Sequence, residues 1–155
     1  MRNPIVAEKS MEYTSAQATI WRWREAYQHD FAAHMDWCIA DTFEKANHNS
    51  VAVVYADAGK AVAKIRVEPG IRVSLNAEET YDPDGDQLTY RWFVYKEAGT
   101  YKGSVDIENK ASARAYLIAP EVKDPESLHL ILEVKDNGQP SLYSYRRVII
   151  TVEDK

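Results

Sequence analysis

Residues 51 to 155 alternate between apolar and polar side chains with a period of two, and this pattern constrains the fold more than any other feature of the chain. β-Branched and aromatic residues carry the pattern in short runs, which are separated by turn sequences such as EPG, DPDGD and KDNGQP. Short runs of this kind are typical of an all-β sandwich. We predict strands at residues 51–55, 63–67, 71–77, 88–95, 105–108, 113–118, 128–135 and 145–152, which makes about seven strands if the first two form one split edge strand.

The first 50 residues follow a different pattern, with a helical period in their second half. Between positions 25 and 46 there is no Gly or Pro, and apolar side chains recur at Tyr27, Phe31, Met35 and Cys38. Spacings of three and four residues place such side chains on one face of a helix. We therefore expect a mainly β protein, with a helical connector at residues 1–47 and an immunoglobulin-like antiparallel β-sandwich at residues 51–155.

The alternation assigns one face of each predicted strand to the core. Trp92 is the largest of these residues, and it lies on the third strand, where immunoglobulin-like sandwiches place a buried Trp. We therefore expect Trp92 to contribute mainly to stability. The other predicted core residues are Ile71, Val73, Leu75, Leu88, Tyr90, Val94, Leu128, Leu130, Leu132, Val134, Val148, Ile150 and Val152.

The opposite faces of the same strands are less polar than a fully solvated sheet would be. Outward positions hold Phe93, Tyr95, Ile131, Tyr145 and Ile149, which form a cluster if strands three, six and seven are neighbours. A contiguous apolar group on a surface indicates that something covers it or binds to it. Two interpretations follow: the apolar stripe of the N-terminal helix lies across this face, or the face is a binding platform for a carbohydrate or a protein.

A second aromatic group lies in the N-terminal segment and consists of Trp21, Trp23 and Trp37. Exposed aromatic rings stack on sugars, because their flat apolar faces match the C–H faces of pyranoses. Large aromatic residues next to a sandwich more often pack one domain against another. We interpret these three tryptophans as interdomain packing residues.

The sequence DPDGD raises the question of a metal site. Asp82, Asp84 and Asp86 offer carboxylate oxygens at alternate positions, and calcium binds six to eight oxygen ligands. Asp136 in the KDNG turn is expected at the same end of the sandwich, so it is a fourth candidate ligand for calcium. The alternative needs no metal, because Asp, Pro and Gly at these positions also satisfy the preferences of a type I turn.

Several other classes of function are disfavoured by the composition. The net charge is −5 and Lys and Arg form no run, which argues against nucleic acid and anionic membranes as partners. No apolar segment approaches the roughly 20 residues needed to cross a bilayer. The four histidines are dispersed, and neither a phosphate-binding glycine loop nor a nucleophile motif is present. On its motifs, this chain is not an enzyme.

Three stretches of the chain together resemble a known family. They are MEYTSAQATIWRWREAYQHDFAAHMDWC, SLNAEETYDPDGDQLTYRWFVYKEAGTYKGSVDIE and LHLILEVKDNGQPSLYSYRRVIITV. They are similar to the C-terminal part of bacterial nucleoside-hydrolase-like proteins described as cellulose-binding. The run that joins RWFVY to EAGTY is more specific to this family than DPDGD is, because DPDGD also occurs in polycystic-kidney-disease-type and cadherin-like modules.

The resemblance implies a secreted or periplasmic parent protein in which a nucleoside-hydrolase-like α/β domain precedes an immunoglobulin-like domain. Residues 1–47 would then be a connector or the tail of the hydrolase-like domain, and that domain would be the partner of the sandwich. The aspartate-rich motif with which nucleoside hydrolases bind calcium and ribose is missing here. The resemblance therefore implies one of two noncatalytic roles: an accessory domain that binds a polysaccharide such as cellulose, or a structural scaffold that completes the hydrolase-like domain.

Overall fold

The structure is a computed structural model that describes residues 6–8, 11–13 and 18–154. The remaining positions of the predicted connector and sandwich lie outside the described residues. Two short antiparallel strands, β1 (Val6–Glu8) and β2 (Met11–Tyr13), precede the helices α1 (Ala18–Trp21) and α2 (Arg24–Ile39) and a single 3-10 turn (Phe43–Lys45). Six further strands follow: β3 (Ala63–Val67), β4 (Arg72–Asn76), β5 (Thr89–Val94), β6 (Arg114–Ile118), β7 (Glu126–Lys135) and β8 (Tyr143–Val152).

These six strands form two sheets that enclose one core. The larger sheet has the order β3-β8-β7-β5, and the smaller one pairs β4 with β6. Residues from both sheets belong to a single buried cluster, which is the arrangement of a sandwich. The prediction of a mainly β, immunoglobulin-like sandwich with an N-terminal helical segment is therefore confirmed.

The core is built from the inner faces of the strands, as the alternation predicts. Trp92 is completely buried, and its indole N–H donates a hydrogen bond to the Ser112 carbonyl at 3.1 Å. From Leu128 onward in β7 and from Arg146 onward in β8, every second residue is buried, because adjacent side chains of a strand point to opposite faces. Leu88, Tyr90 and Val94 are only partly buried but pack against the same cluster.

Two of the predicted strands are wrong. Residues 51–55 and 105–108 form only isolated bridges. The chain reverses after Val54, because Tyr55 and Ala56 have φ angles of 54° and 62°, which lie outside the extended region. Ile71 is exposed rather than buried, since it precedes the first residue of β4.

The larger sheet also differs from the predicted antiparallel arrangement, because β3 runs parallel to β8. Chain order explains this difference. The two strands are far apart in sequence and no hairpin joins them, so no turn forces them to run in opposite directions.

The helix α2 lies over the outer face of the larger sheet, but the face that it presents is not the predicted one. Tyr27, Phe31 and Met35 are exposed. The less exposed side chains recur instead at alternating spacings of three and four, which define a different face of the helix. They are Trp23, Ala26, Asp30, Ala33 and Trp37.

Candidate functional site

The outer face of the larger sheet brings the predicted platform residues together. Phe93 of β5 pairs in register with Ile131 of β7. On β8, the neighbouring strand, Tyr145 pairs with Glu133, which is two residues after Ile131. Ile149 pairs with His129, which is two residues before Ile131. Cross-strand neighbours on one face of a sheet are close enough for their side chains to touch.

The start of the helical segment covers part of this face. The Trp23 ring meets Tyr145 edge-on, with centroids 5.0 Å apart, and lies 6.2 Å from the ring of Phe93. The Arg22 guanidinium is 5.3 Å from the centroid of Tyr95 and forms a 2.8 Å ion pair with Glu97. Phe93 and Tyr95 therefore contact the chain's own N-terminal segment.

A cleft of about 730 Å³ remains open between α2 and the uncovered part of the sheet. A smaller and more apolar cavity of about 460 Å³ lies next to it and shares Tyr143 and Tyr145. Side chains from α1, α2 and three strands of the sheet surround the larger cleft. They are Trp21, Arg22, Arg24, Glu25, Ala26, Gln28, Thr89, Tyr90, Arg91, Glu133, Lys135, Tyr143 and Tyr145.

Two tyrosines give the sheet side of the cleft an aromatic lining. Tyr143 and Tyr145 are alternate residues of β8, so both point to the outer face. Their rings are nearly parallel, with an interplanar angle of 8° and centroids 6.3 Å apart. Burial and the neighbouring Glu133 raise the pKa of Tyr145.

Charged side chains lie beside these rings. Arg91 and Glu133 are directly opposite each other on β5 and β7 and form a two-point ion pair with distances of 2.9 and 3.1 Å. This geometry fixes both groups, because a guanidinium and a carboxylate fit together as a planar fork. The cleft therefore combines aromatic surface with oriented donors and acceptors, as ligand-binding sites commonly do.

A three-residue network closes the cleft on the helix side. Glu25, in the first turn of α2, accepts hydrogen bonds from the Tyr143 hydroxyl at 2.5 Å and from Lys135 Nζ at 2.9 Å. These two hydrogen bonds lower the pKa of Glu25, and the hydrogen bond with Tyr143 is the largest contribution to the raised pKa of Lys135. Burial and the contact with Glu25 raise the pKa of Tyr143.

Two further polar contacts hold α2, one to a loop of the sandwich and one to the segment that follows the helix. His29 Nδ1 lies 2.7 Å from the carbonyl oxygen of Ser141, and the Trp37 indole N–H donates to the Asn47 carbonyl at 2.7 Å. Trp23 thus attaches the helical segment to the sandwich within this chain, whereas Trp37 is linked to it through Asn47, whose side chain donates hydrogen bonds to Asp136 and Pro140. Trp21 is exposed at the rim of the cleft.

Sequence reasoning missed the polar half of the site. Lys135 ends the predicted strand 128–135, where alternation places it on the same face as Ile131, whereas Tyr143 precedes the predicted strand 145–152 and belongs to β8 only in the structure. Nothing in the local sequence distinguishes Glu25 from the other acidic residues of the helical segment. The hydrogen bonds of Glu25 depend on which part of the sheet the first turn of α2 contacts in the folded molecule.

Two of the aspartates of DPDGD accept hydrogen bonds from backbone N–H groups. One carboxylate oxygen of Asp82 accepts from the backbone N–H groups of Asp84 and Asp86, at 2.9 and 3.2 Å. Asp84 accepts from the His48 backbone N–H at 2.7 Å, and the His48 ring lies 3.1 Å from the same carboxylate. These contacts are those of a side-chain-stabilised turn.

Asp136 is buried in the neighbouring loop, where its Oδ1 accepts hydrogen bonds from Asn47 and from two backbone N–H groups. Desolvation, with Asp82, Asp136 and Asp84 nearby, raises the pKa of Asp86. The second oxygens of Asp82 and Asp136 are buried and accept no hydrogen bond. Within residues 18–154, no three His, Cys, Asp or Glu side chains are arranged to hold a metal ion. Calcium binding by these four aspartates stays a prediction.

The fold and the cleft define a class: an immunoglobulin-like β-sandwich whose N-terminal helix borders an aromatic, charge-lined cleft. Among the described helices, none is long and apolar enough to cross a membrane. The sequence profile of the family described as "Cellulose-binding protein Sde0182, C-terminal domain" matches residues 72–152. The chain belongs to this family, which confirms the resemblance found in the sequence.

Comparison with solved structures extends the similarity beyond the sandwich. The chain is 39% identical to a nucleoside hydrolase-related protein from Saccharophagus degradans that is described as associated with carbohydrate metabolism, with a TM-score of 0.86. The match covers 99% of this chain and 40% of that one, so this chain spans less than half the length of its solved relative.

Other solved structures are more distant. The PKD domain from the KIAA 1837 protein is 22% identical, with a TM-score of 0.41, and the match covers 64% of this chain and 87% of that one. The protocadherin GammaB4 extracellular domain is 20% identical, with a TM-score of 0.44, and the match covers 69% of this chain and 17% of that one. A search of curated protein sequences found no significant match.

Proposed function

We propose that this chain is a noncatalytic accessory domain that binds a polysaccharide of the cellulose type in the cleft between α2 and the larger sheet. The parent is an exported protein that also carries a nucleoside-hydrolase-like domain. Membership of a family described as the C-terminal domain of a cellulose-binding protein supports the class of ligand. The observation that carries the proposal is the pair of nearly parallel rings of Tyr143 and Tyr145 beside the Arg91–Glu133 ion pair.

This combination suits the chemistry of a pyranose chain. The faces of a pyranose ring present C–H groups, which pack against flat aromatic rings, while its edges present hydroxyl groups. Hydroxyls donate to a carboxylate and accept from a guanidinium, so the fixed Arg91–Glu133 pair orients a sugar that stacks on Tyr145. A neutral sugar carries no charged group that must lose its water when it enters the cleft. The free-energy cost of desolvation is therefore small, which favours binding by these weak contacts.

Retention on insoluble cellulose tests the proposal. We expect Tyr145→Ala to weaken retention by about tenfold or more, which corresponds to the loss of about 1.4 kcal/mol of binding free energy. Glu133→Gln should also weaken retention, because the neutral amide no longer forms the two-point ion pair that orients Arg91. Tyr116→Ala is the matched control, since Tyr116 is a half-buried tyrosine on β6 of the other sheet.

Circular dichroism must show that each variant remains folded before its retention is compared. Absence of retention of the wild-type chain on cellulose and related glucans would overturn the proposal. Unchanged retention of both cleft variants would overturn the assignment to this cleft, even if the chain itself binds cellulose.

A further inference from the structure

One face of α2 is apolar and exposed along its whole length. Tyr27, Phe31, Met35 and Ile39 are spaced four residues apart and are 49%, 68%, 50% and 82% exposed. Residues at this spacing lie next to one another along a helix surface. Single exposed apolar residues are ordinary, but a continuous row on one element marks an interaction surface.

The helix cannot roll to bury this row against its own sandwich. Glu25 is hydrogen bonded to Tyr143 and Lys135, and Trp37 is hydrogen bonded to the Asn47 carbonyl. Ala33, on the packed side, is completely buried. Contacts along the packed side therefore fix the rotation of α2 about its axis and leave Phe31, Met35 and Ile39 facing outward, with Tyr27 exposed at the smaller cavity.

The comparison with the S. degradans relative indicates what covers this row. The family profile matches only residues 72–152, which lie in the sandwich, whereas the similarity to the solved relative covers 99% of this chain and so includes α2. That relative is a nucleoside hydrolase-related protein, and this chain spans 40% of its length. The S. degradans relative therefore contains both the helix that precedes the sandwich and a large part that this chain does not match.

We propose that the exposed row of α2, consisting of Tyr27, Phe31, Met35 and Ile39, is the docking surface for the nucleoside-hydrolase-like domain of the parent protein. This inference rests on the partner domain named in the proposed function and does not depend on glycan binding. In this arrangement α2 is a shared element, with one face on the sandwich and the other on the hydrolase-like domain. Covering large apolar side chains stabilises such a contact, because it removes apolar surface from water.

The test adds the hydrolase-like part of the S. degradans relative, expressed separately, to this chain and measures complex formation by sedimentation velocity and calorimetry. We expect a one-to-one complex that Phe31→Asp weakens by about tenfold or more. Phe31→Leu, which keeps an apolar side chain, should bind like the wild type. Ile118→Asp is the matched control, because Ile118 is 57% exposed on β6 of the other sheet.

Three outcomes would overturn this inference: no complex, a complex that Phe31→Asp leaves unchanged, or self-association of this chain that Phe31→Asp abolishes. The last result would assign the row to a second copy of the chain. Cellulose retention of Phe31→Asp is measured in parallel and should match the wild type, since Phe31 does not line the cleft. A failure of docking is therefore distinguishable from a failure of glycan binding.

Discussion

The indole ring of Trp23 meets the phenol ring of Tyr145 edge-on, with centroids 5.0 Å apart and an interplanar angle of 83°. Trp23 immediately precedes α2, and Tyr145 lies on β8 of the larger sheet. This contact joins the helical segment to the sandwich at the edge of the cleft. The shape of the cleft therefore depends on whether the helix stays docked on the sheet.

Replacing Trp23 should undock the start of α2 without unfolding the sandwich. An aromatic pair of this geometry contributes about 0.5–1.5 kcal/mol beyond the area that it buries. We expect Trp23→Ala to increase amide hydrogen exchange in residues 24–39 and to reduce retention on cellulose. Amides of β7 and β8 should keep the protection of the wild type, and equal loss of protection in both regions would contradict this prediction.

Replacing Trp92 should destabilise the whole sandwich instead. Trp92 is completely buried, so its removal leaves a cavity and an unpaired carbonyl at Ser112. We expect Trp92→Ala to lower the free energy of unfolding by about 3–5 kcal/mol, measured by urea denaturation. Trp92→Phe should cost less, because it fills part of the cavity; a loss of under about 1 kcal/mol for Trp92→Ala would show that the core reorganises around the gap.

Acidification should loosen the contact between α2 and the sheet through Glu25. Its pKa in the folded state lies below the ordinary value of 4.5, because Tyr143 and Lys135 hydrogen bond to the carboxylate. The stabilisation from Glu25 is therefore fully present above pH 4.5 and is lost as the pH falls through the lower pKa of the folded state.

The measurement is the difference in melting temperature between the wild type and Glu25→Gln across this pH range. We expect the difference to be largest above pH 4.5 and to shrink below it. Glu121→Gln, at an exposed loop position, serves as the control. A difference for Glu25→Gln that is independent of pH would contradict the assignment to the ionised carboxylate.

Neutralising Asp86 should stabilise the protein near neutral pH. The pKa of Asp86 is raised above its ordinary value of 3.8 by desolvation and by the neighbouring aspartates. The protonated form is favoured in the folded state, so the stability that Asp86 contributes is present below pH 3.8 and is lost as the pH rises through its folded-state pKa. We expect Asp86→Asn to raise the melting temperature near neutral pH, whereas Asp106→Asn, at an exposed position, should have little effect.

The same variants decide between the turn and calcium. Because one carboxylate oxygen of Asp82 and one of Asp136 already accept hydrogen bonds from backbone N–H groups, we expect added calcium to leave the melting temperature unchanged. A rise of the melting temperature in calcium that Asp86→Asn removes would instead establish a calcium site, because a ligand that binds only the folded state stabilises it.

The sequence predicted those parts of the fold that depend on local periodicity. Alternation along β7 and β8 correctly separated buried from outward residues, and it placed Trp92 in the core. It also predicted that Phe93 and Ile131 lie on one face once their strands are neighbours, as their register confirms. It failed at residues 51–55, where a run that reads as a strand is interrupted by a turn at Tyr55 and Ala56.

The helix shows where periodicity alone is insufficient. Tyr27, Phe31 and Met35 form the more apolar stripe, yet they are exposed, whereas Trp23, Ala33 and Trp37 on the other face are less exposed. Both faces carry apolar side chains, so the sequence offered two candidates and tertiary contacts chose between them. The hydrogen bond between Glu25 and Tyr143 joins residues that are 118 positions apart, a distance at which no local pattern relates them.

The sequence by itself thus determined which side chains of a strand share a face, because successive Cβ atoms of an extended backbone point to opposite faces. The presence of a helix before the sandwich was settled in the same way, by the spacing of its apolar residues. The rotation of that helix, the cleft beneath it and the exposed row on its far side were decided only in the folded molecule. Each of these depends on contacts between distant residues whose packing and hydrogen-bond energies outweigh the local preference for burying the more apolar face.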